Sequence, residues 1–184
     1  MKAKHKLTTV NITNPASQVG VVSDTHVPVR ARFLPPELLK RLTGVDLIIH
    51  AGDLVEERVL VELEAIAPVV AVAGNMDPGS LWGLGRRKLI QAGEVLIGLL
   101  HGDGDRAAAV QKARASFPGY NPRVIVFGHT HRPYNQHREG VLMFNPGSPV
   151  DPRGAAGPSC GLLTINGSRV TGEIIYFNRA SSYT

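Results

Sequence analysis

Apolar residues along this 184-residue chain gather in short runs that end in turn residues. QVGVVS from Gln18, VDLIIH from Val45, PVVAVAG from Pro68, EVLIGLLH from Glu94 and RVIVFGH from Arg123 have the length and branched content of buried strands. Between several of them the spacing turns helical. Pro35 and Pro36 open ELLKRL with Gly44 as its stop, and LVEERVLVELEAI carries apolar residues at helical intervals. DRAAAVQKARASF starts on an acidic residue and ends before Pro118. This alternation predicts βαβ units around a largely buried sheet. After Tyr134 the texture changes to VLMFNPGSPV, CGLLTING and SRVTGEIIYF, which predicts an antiparallel meander with a hairpin at Asn166-Gly167.

A hydrophobic fraction of 43% with 19% charged residues fits one globular domain, expected over residues 18–184 after a polar, basic and flexible leader at 1–17. The apolar stretches fall far short of the roughly 20 residues that cross a bilayer. The amino terminus lacks the apolar segment of a secretory signal, so a cytoplasmic location is expected. Cys160 is the only cysteine, which rules out an intramolecular disulfide framework and a multi-thiolate zinc site. Three of the charges behind the formal +5 are Lys2, Lys4 and Lys6 in the leader, and no aromatic residues interleave with the basic ones, so no nucleic-acid partner is expected. Arg86, Arg87 and Lys88 read as a solvated charge run, with contact to a substrate phosphate as the alternative.

In open α/β folds reactive groups collect where loops leave the carboxyl ends of strands, because the sheet holds the loop roots rigid. Five such places carry polar residues of one kind. They are Asp24 and His26 after GVVS, Asp53 in HAGD, Asn75 in AGN, His101 in LLHGDG, and His129 with His131 in FGHTH. A spacing of two keeps each pair on one side if the backbone stays extended. Gly52, Gly74 and Gly128, each just before a donor, would let the chain turn tightly. Carboxylate, imidazole and amide oxygen are ligands for borderline divalent cations such as manganese, iron, nickel, cobalt or zinc. Seven donors exceed one tetrahedral ion and suit two ions sharing a carboxylate. Taken singly, Asp24 and Asp53 read as turn formers. His5 and His137 read as surface groups, and His50 as a supporting residue rather than a ligand.

In order along the chain, DTH, GD, GN, HG and GHTH resemble the signature of the calcineurin-like metallophosphoesterases. NPGS at 145 to 148, with PR at 152 and 153, resembles their small single-domain phosphodiesterase branch, so the resemblance spans about residues 18 to 177. It implies an α/β fold, a four-layer sandwich of two mixed β-sheets flanked by helices. It also implies that Asp24, His26 and His131 hold one metal, that Asn75, His101 and His129 hold a second, and that Asp53 bridges them, with Asn75 and His101 catalytic.

Two divalent ions against two carboxylates leave a cationic site that favours an anionic substrate. They also lower the pKa of a bridging water, so that hydroxide can attack phosphorus. The expectation is a metal-dependent phosphodiesterase, with manganese the foremost metal and a small phosphoester as substrate; oligomeric state is left open. One position departs from the family pattern. Many members place a histidine after Gly-Asn, where it protonates the leaving group, but here Met76 has no proton to give. Asp77, His50 or water must then substitute, which predicts better hydrolysis of activated aryl phosphodiesters than of alkyl phosphomonoesters. Two rivals stand beside the enzyme: a non-catalytic interaction module like the retromer sorting subunit of the same fold, and a nuclease drawing on the residual basic charge.

Overall fold

The computed structural model describes residues 8–12 and 18–177. In chain order the strands are β1 (Thr8–Ile12), β2 (Gln18–Val22), β3 (Leu47–His50), β4 (Val69–Ala71), β5 (Arg87–Ala92), β6 (Val95–Leu100), β7 (Val124–Val126), β8 (Tyr134–Arg138), β9 (Val141–Asn145), β10 (Ser159–Asn166) and β11 (Arg169–Tyr176). The helices are α1 (Pro36–Leu42), α2 (Arg58–Glu64) and α3 (Arg106–Ala115), with a 3-10 turn at Gly79–Leu84. Two mixed sheets result, in the orders β11-β10-β2-β3-β4 and β1-β5-β6-β7-β9-β8.

The layering follows from which face each strand residue covers. Successive side chains on a strand point to opposite faces, and when both faces are buried every residue must be apolar. Val19, Val21, Leu47 and Ile49 of one sheet meet Ile97, Leu99, Val124, Val126 and Phe144 of the other in a common core. The alternate residues Val22 and Ile48 face outward instead, beneath Leu38 and Leu42 of α1 and Val59 and Leu63 of α2. On the far side, Leu89, Leu100, Ile125 and Met143 pack against Ala109 and Ala113 of α3 and against Phe117. The three apolar interfaces make the four layers that the resemblance implied.

One expectation is corrected, that of the tail, and two further segments are defined. Within the segment 1–17 expected as a leader, Thr8–Ile12 forms an edge strand running parallel to β5; the rest of residues 1–17 lies outside the described residues. Of the run read as solvated, Arg86 and Arg87 are exposed and Lys88 is half-buried; Arg87 and Lys88 begin strand β5, whose Leu89 and Ile90 are buried, and Arg87 Nη1 donates to Ser116 O at 2.8 Å. The tail is not one meander. Its β9 lies parallel to β7 in one sheet, while β10 and β11 pair in the other. The hairpin at Asn166-Gly167 is present, with Asn166 opposite Arg169.

Phe144 joins the two sheets. It is fully buried, and a Cβ on either Gly161 or Gly172 would lie within 2.6 Å of its ring carbons, so those two positions leave the space the ring fills. Phe144→Ala is expected to lower stability by about 3–5 kcal/mol, read from urea unfolding. A loss below about 1 kcal/mol would mean that the sheets close over the gap and that the ring is not their joint.

Candidate metal centre

The polar loops leave the carboxyl ends of β2, β3, β4, β6 and β7 and meet at one edge of the sandwich. Strand pairing continues into them. The Asp24 amide donates to Gly52 O and that of His26 to Asp53 O, both at 3.0 Å, and Gly128 N donates to His101 O at 2.9 Å. The pairs at spacing two are not extended, as expected, but left-handed. Asp24, His26, Asp53, His129 and His131 have φ of 57°, 45°, 59°, 67° and 57°. For residues with a Cβ this costs of the order of 1–2 kcal/mol each, and it persists where the surroundings over-determine it.

Two buried acceptors supply part of that determination. The Asp77 carboxylate takes three amides: Asp53 N at 3.0 Å, Gly74 N at 2.7 Å and Val55 N at 2.7 Å. It ties the Asp53 loop to the Asn75 loop. Asp24 accepts from His129 N through both oxygens, at 3.2 and 3.1 Å, and its own carbonyl accepts from Ser148 Oγ at 2.8 Å. Close approach also demands glycine. A Cβ on Gly74 would meet the Asp53 amide at 2.5 Å, and one on Gly128 would meet Asp24 Oδ2 at 2.9 Å.

All seven expected donors come together. His26 Nε2 is 3.1 Å from His131 Nε2, which is 3.5 Å from Asp24 Oδ1. Asn75 Oδ1 lies 3.0 Å from His101 Nε2 and 2.9 Å from His129 Nδ1. Between the groups stands Asp53 Oδ2, at 3.5 Å from His26 Nε2 and 3.4 Å from His101 Nε2. Its sister oxygen is already engaged, accepting from Met76 N at 2.7 Å. One oxygen of Asp53, rather than two, faces both groups.

The tautomers test whether cations fit. His101 Nδ1–H donates to Ala51 O and His131 Nδ1–H to Asp151 O, both at 2.7 Å. When the two rings are neutral, their Nε2 lone pairs therefore point into the cluster, at carboxylate, amide or imidazole atoms that also offer lone pairs. Acceptors facing acceptors at this range require positive charge between them. Divalent cations match the set, and two groups, Asp24 with His26 and His131, and Asp24 with Asp53 and His101, have donor atoms close enough to share an ion.

Charge in the cluster is displaced accordingly. Burial pushes the Asp24 carboxyl up to about 7. Burial also acts upward on Asp53, but the hydrogen bond and charge of His101 outweigh it and hold Asp53 at about 2. His101 is raised: burial opposes its charge, yet the hydrogen bond to Asp53 and the charges of Asp24 and Asp53 prevail. Burial lowers His26 and His129, and takes His131 to about 4.

His50, read as a supporting residue, is one. It is fully buried, its Nδ1 accepts from Gly52 N at 3.1 Å, and its Nε2–H therefore donates to Thr25 Oγ1 at 3.2 Å. Sequence reasoning missed the bracing roles of Asp77, Ser148 and Asp151. Asp77 was weighed only as a proton donor, and a carboxylate saturated by three amides does not serve as one. No spacing marks Asp151, because its tie to His131 spans 20 positions.

Comparison with known proteins gives a consistent result. The model of the calcineurin-like phosphoesterase superfamily domain matches residues 18–168. A Methanothermobacter thermautotrophicus protein named probable metallophosphoesterase is 38% identical over 85% of this chain and 91% of its own. A Thermotoga maritima protein solved by solution NMR is 33% identical, with a TM-score of 0.67 over 88% of this chain and all of that one. Vps29 from Entamoeba histolytica, in a crystal structure described as a zinc complex, is 29% identical, with a TM-score of 0.68 over 88% of this chain and 99% of that one.

Two outcomes follow from the bracing. Asp77→Ala leaves three amides without their acceptor and is expected to cost about 2–4 kcal/mol in urea unfolding, where a solvated acid would cost almost nothing. Burial holds His50 at about 3 against an ordinary 6.5, so in that window the unfolded chain binds the extra proton and stability falls as pH drops. In metal-free protein His50→Gln should remove up to about 1.4 kcal/mol per pH unit of that dependence between pH 6 and pH 4. An unchanged slope would show that His50 is not held neutral.

Proposed function

The chain belongs to the calcineurin-like phosphoesterase superfamily, and on that premise we propose that it is a binuclear metal-dependent phosphodiesterase acting on small phosphoesters. The observation that carries this reading is Asp53 Oδ2, set 3.5 and 3.4 Å from donors of two neighbouring groups. In this reading Asp24, His26 and His131 hold one cation, Asn75, His101 and His129 hold the other, and Asp53 bridges. Manganese is the foremost candidate, with nickel, zinc, iron and cobalt as alternatives for the same donors. Two such cations supply electrophilic charge for phosphoryl oxygens and an acidified water as nucleophile.

The chain's own part is positional. Backbone carbonyls of Ala51 and Asp151 fix the His101 and His131 rings, and fixed ligands spare reorganisation when the substrate arrives. Asn75 and Met76 are exposed, at the side from which a substrate enters. None of the three residues considered for that role is free to protonate a leaving group. Met76 has no acidic proton, Asp77 is occupied by three amides, and His50 is sealed beneath the loops. Water remains as the proton source. Good leaving groups then react best, since general acid help is typically worth 10²–10⁴-fold to poor ones. The buried single thiol of Cys160 accords with a reducing compartment such as the cytoplasm.

The test is turnover of bis(p-nitrophenyl) phosphate, p-nitrophenyl phosphate and an alkyl monoester, with manganese, nickel, zinc and magnesium supplied separately. The aryl diester is expected to lead and the alkyl monoester to be slowest; the reverse order would remove the argument from Met76. Asp53→Asn should abolish metal occupancy and lower turnover about a thousandfold, as the loss of several kcal/mol of charge stabilisation implies. Two ions retained in that variant would contradict the bridge. Metal bound without any turnover would favour an interaction module, a reading that the similarity to Vps29 keeps in view.

A further inference from the structure

Behind the His26–His131 pair lies a charged group that the hydrolytic reading does not use. Arg30 follows His26 in the same loop, its amide donating to His26 O at 2.8 Å. Its Nε stands 3.7 Å from Asp151 Oδ2, and Arg153 Nε stands 3.2 Å from that same oxygen. The Asp151 carbonyl in turn accepts from His131 Nδ1. Two guanidinium groups thus meet over one carboxylate, anchored to the outer nitrogen of a candidate metal ligand.

We propose that Arg30 and Arg153 form a clamp for a second anionic group of the substrate, one that lies beyond the scissile phosphorus. The inference rests on the phosphodiesterase reading and narrows its substrate class to diesters that carry a further phosphate or carboxylate.

The charge count points that way. One carboxylate neutralises one guanidinium, and among the described residues Asp151 is the only ion-pair partner of either arginine. A positive charge is left over. Both side chains are about half exposed, at 56% and 47%, so their remaining N–H groups are open to a ligand. Guanidinium forks suit phosphate and carboxylate oxygens in particular.

The backbone fixes where Arg153 stands. Arg153 sits at φ 39°, left-handed for a residue with a long side chain, and its carbonyl is held by Arg132 Nε at 3.1 Å. That conformation belongs to a tight turn, in which Ala155 N donates to Pro152 O at 2.8 Å and Gly154 follows at φ 80°, and the turn holds Arg153 beside Asp151.

The ring of His131 sets the reach. Its Nε2 faces the donor cluster and its Nδ1 faces Asp151, so the arginines stand on the far side of the imidazole from any ion that Nε2 would bind. A phosphorus held at the centre and an anion held by the clamp are then separate groups on one molecule.

The experiment compares two esters with the same leaving group: thymidine 5′-(p-nitrophenyl phosphate) and its 3′-phosphorylated counterpart. With manganese-loaded protein the 3′-phosphorylated ester is expected to have kcat/KM about tenfold higher, through KM rather than kcat, the effect of about one charge-assisted contact. Arg30→Ala and Arg153→Ala should bring the two esters within about twofold, with metal content unchanged. Arg169→Ala, the same charge loss at the distant β10–β11 turn, should keep the preference. Calorimetric binding of thymidine 3′,5′-bisphosphate against thymidine 5′-monophosphate is measured in parallel. No preference in the wild type by either readout, or a preference that survives both arginine variants, would overturn the clamp. If neither ester is hydrolysed with any metal, the phosphodiesterase reading fails and calorimetry alone decides the clamp.

Discussion

Everything at the functional edge depends on holding seven electron donors with their lone pairs turned toward one another. Such an arrangement repels itself and loses hydration on burial, so nothing local in the chain favours it. Histidine rings would rotate to donate to the nearest carboxylate if they were free to do so. Here they are not, because Ala51 O and Asp151 O each claim the Nδ1–H of one ring. Positive charge inside the cluster is what the arrangement asks for, and the raised His101 and raised Asp24 express that demand as proton binding.

The sandwich is built to withstand this. Two apolar sheet faces locked through residues such as Phe144 give the loops rigid roots, and the pairing of Asp24 with Gly52 and of His26 with Asp53 carries that rigidity past the strand ends. Left-handed backbone at five of the donors is tolerated because amides and carboxylates on neighbouring loops leave no alternative. Asp77 shows the logic most directly. An acidic side chain beside the centre serves by accepting three amides, and its chemistry is spent on holding two loops in register.

In the proposed reading the site works through charge and placement rather than through proton delivery. Membership of the calcineurin-like phosphoesterase superfamily supplies the reaction class. The proposed consequences come from particular residues of this chain, namely Met76 where a proton donor would stand and Arg30 meeting Arg153 on Asp151. They point in compatible directions: a leaving group that departs without help, and a substrate recognised in part by charge away from the phosphorus.

Much was legible in the chain itself. Buried strands announce themselves by continuous branched runs, because both faces of such strands must be dry, and the donors announce themselves by falling where those runs end. The strands that escaped notice had reasons to do so. β5 opens with Arg87 and Lys88, β8 is almost wholly exposed, and β1 lies in polar surroundings, so none carries a run to read. The sequence by itself thus determined most of the buried strands and a set of candidate donors, and its motifs carried the resemblance to the family. Only the tertiary structure decided which sheet each tail strand joined, that one oxygen of Asp53 faces both donor groups, that Asp77 braces, and that Arg30 and Arg153 meet on Asp151. Those outcomes rest on hydrogen bonds and ion pairs between residues far apart in sequence, and a local pattern holds no information about which distant partner a polar atom will find.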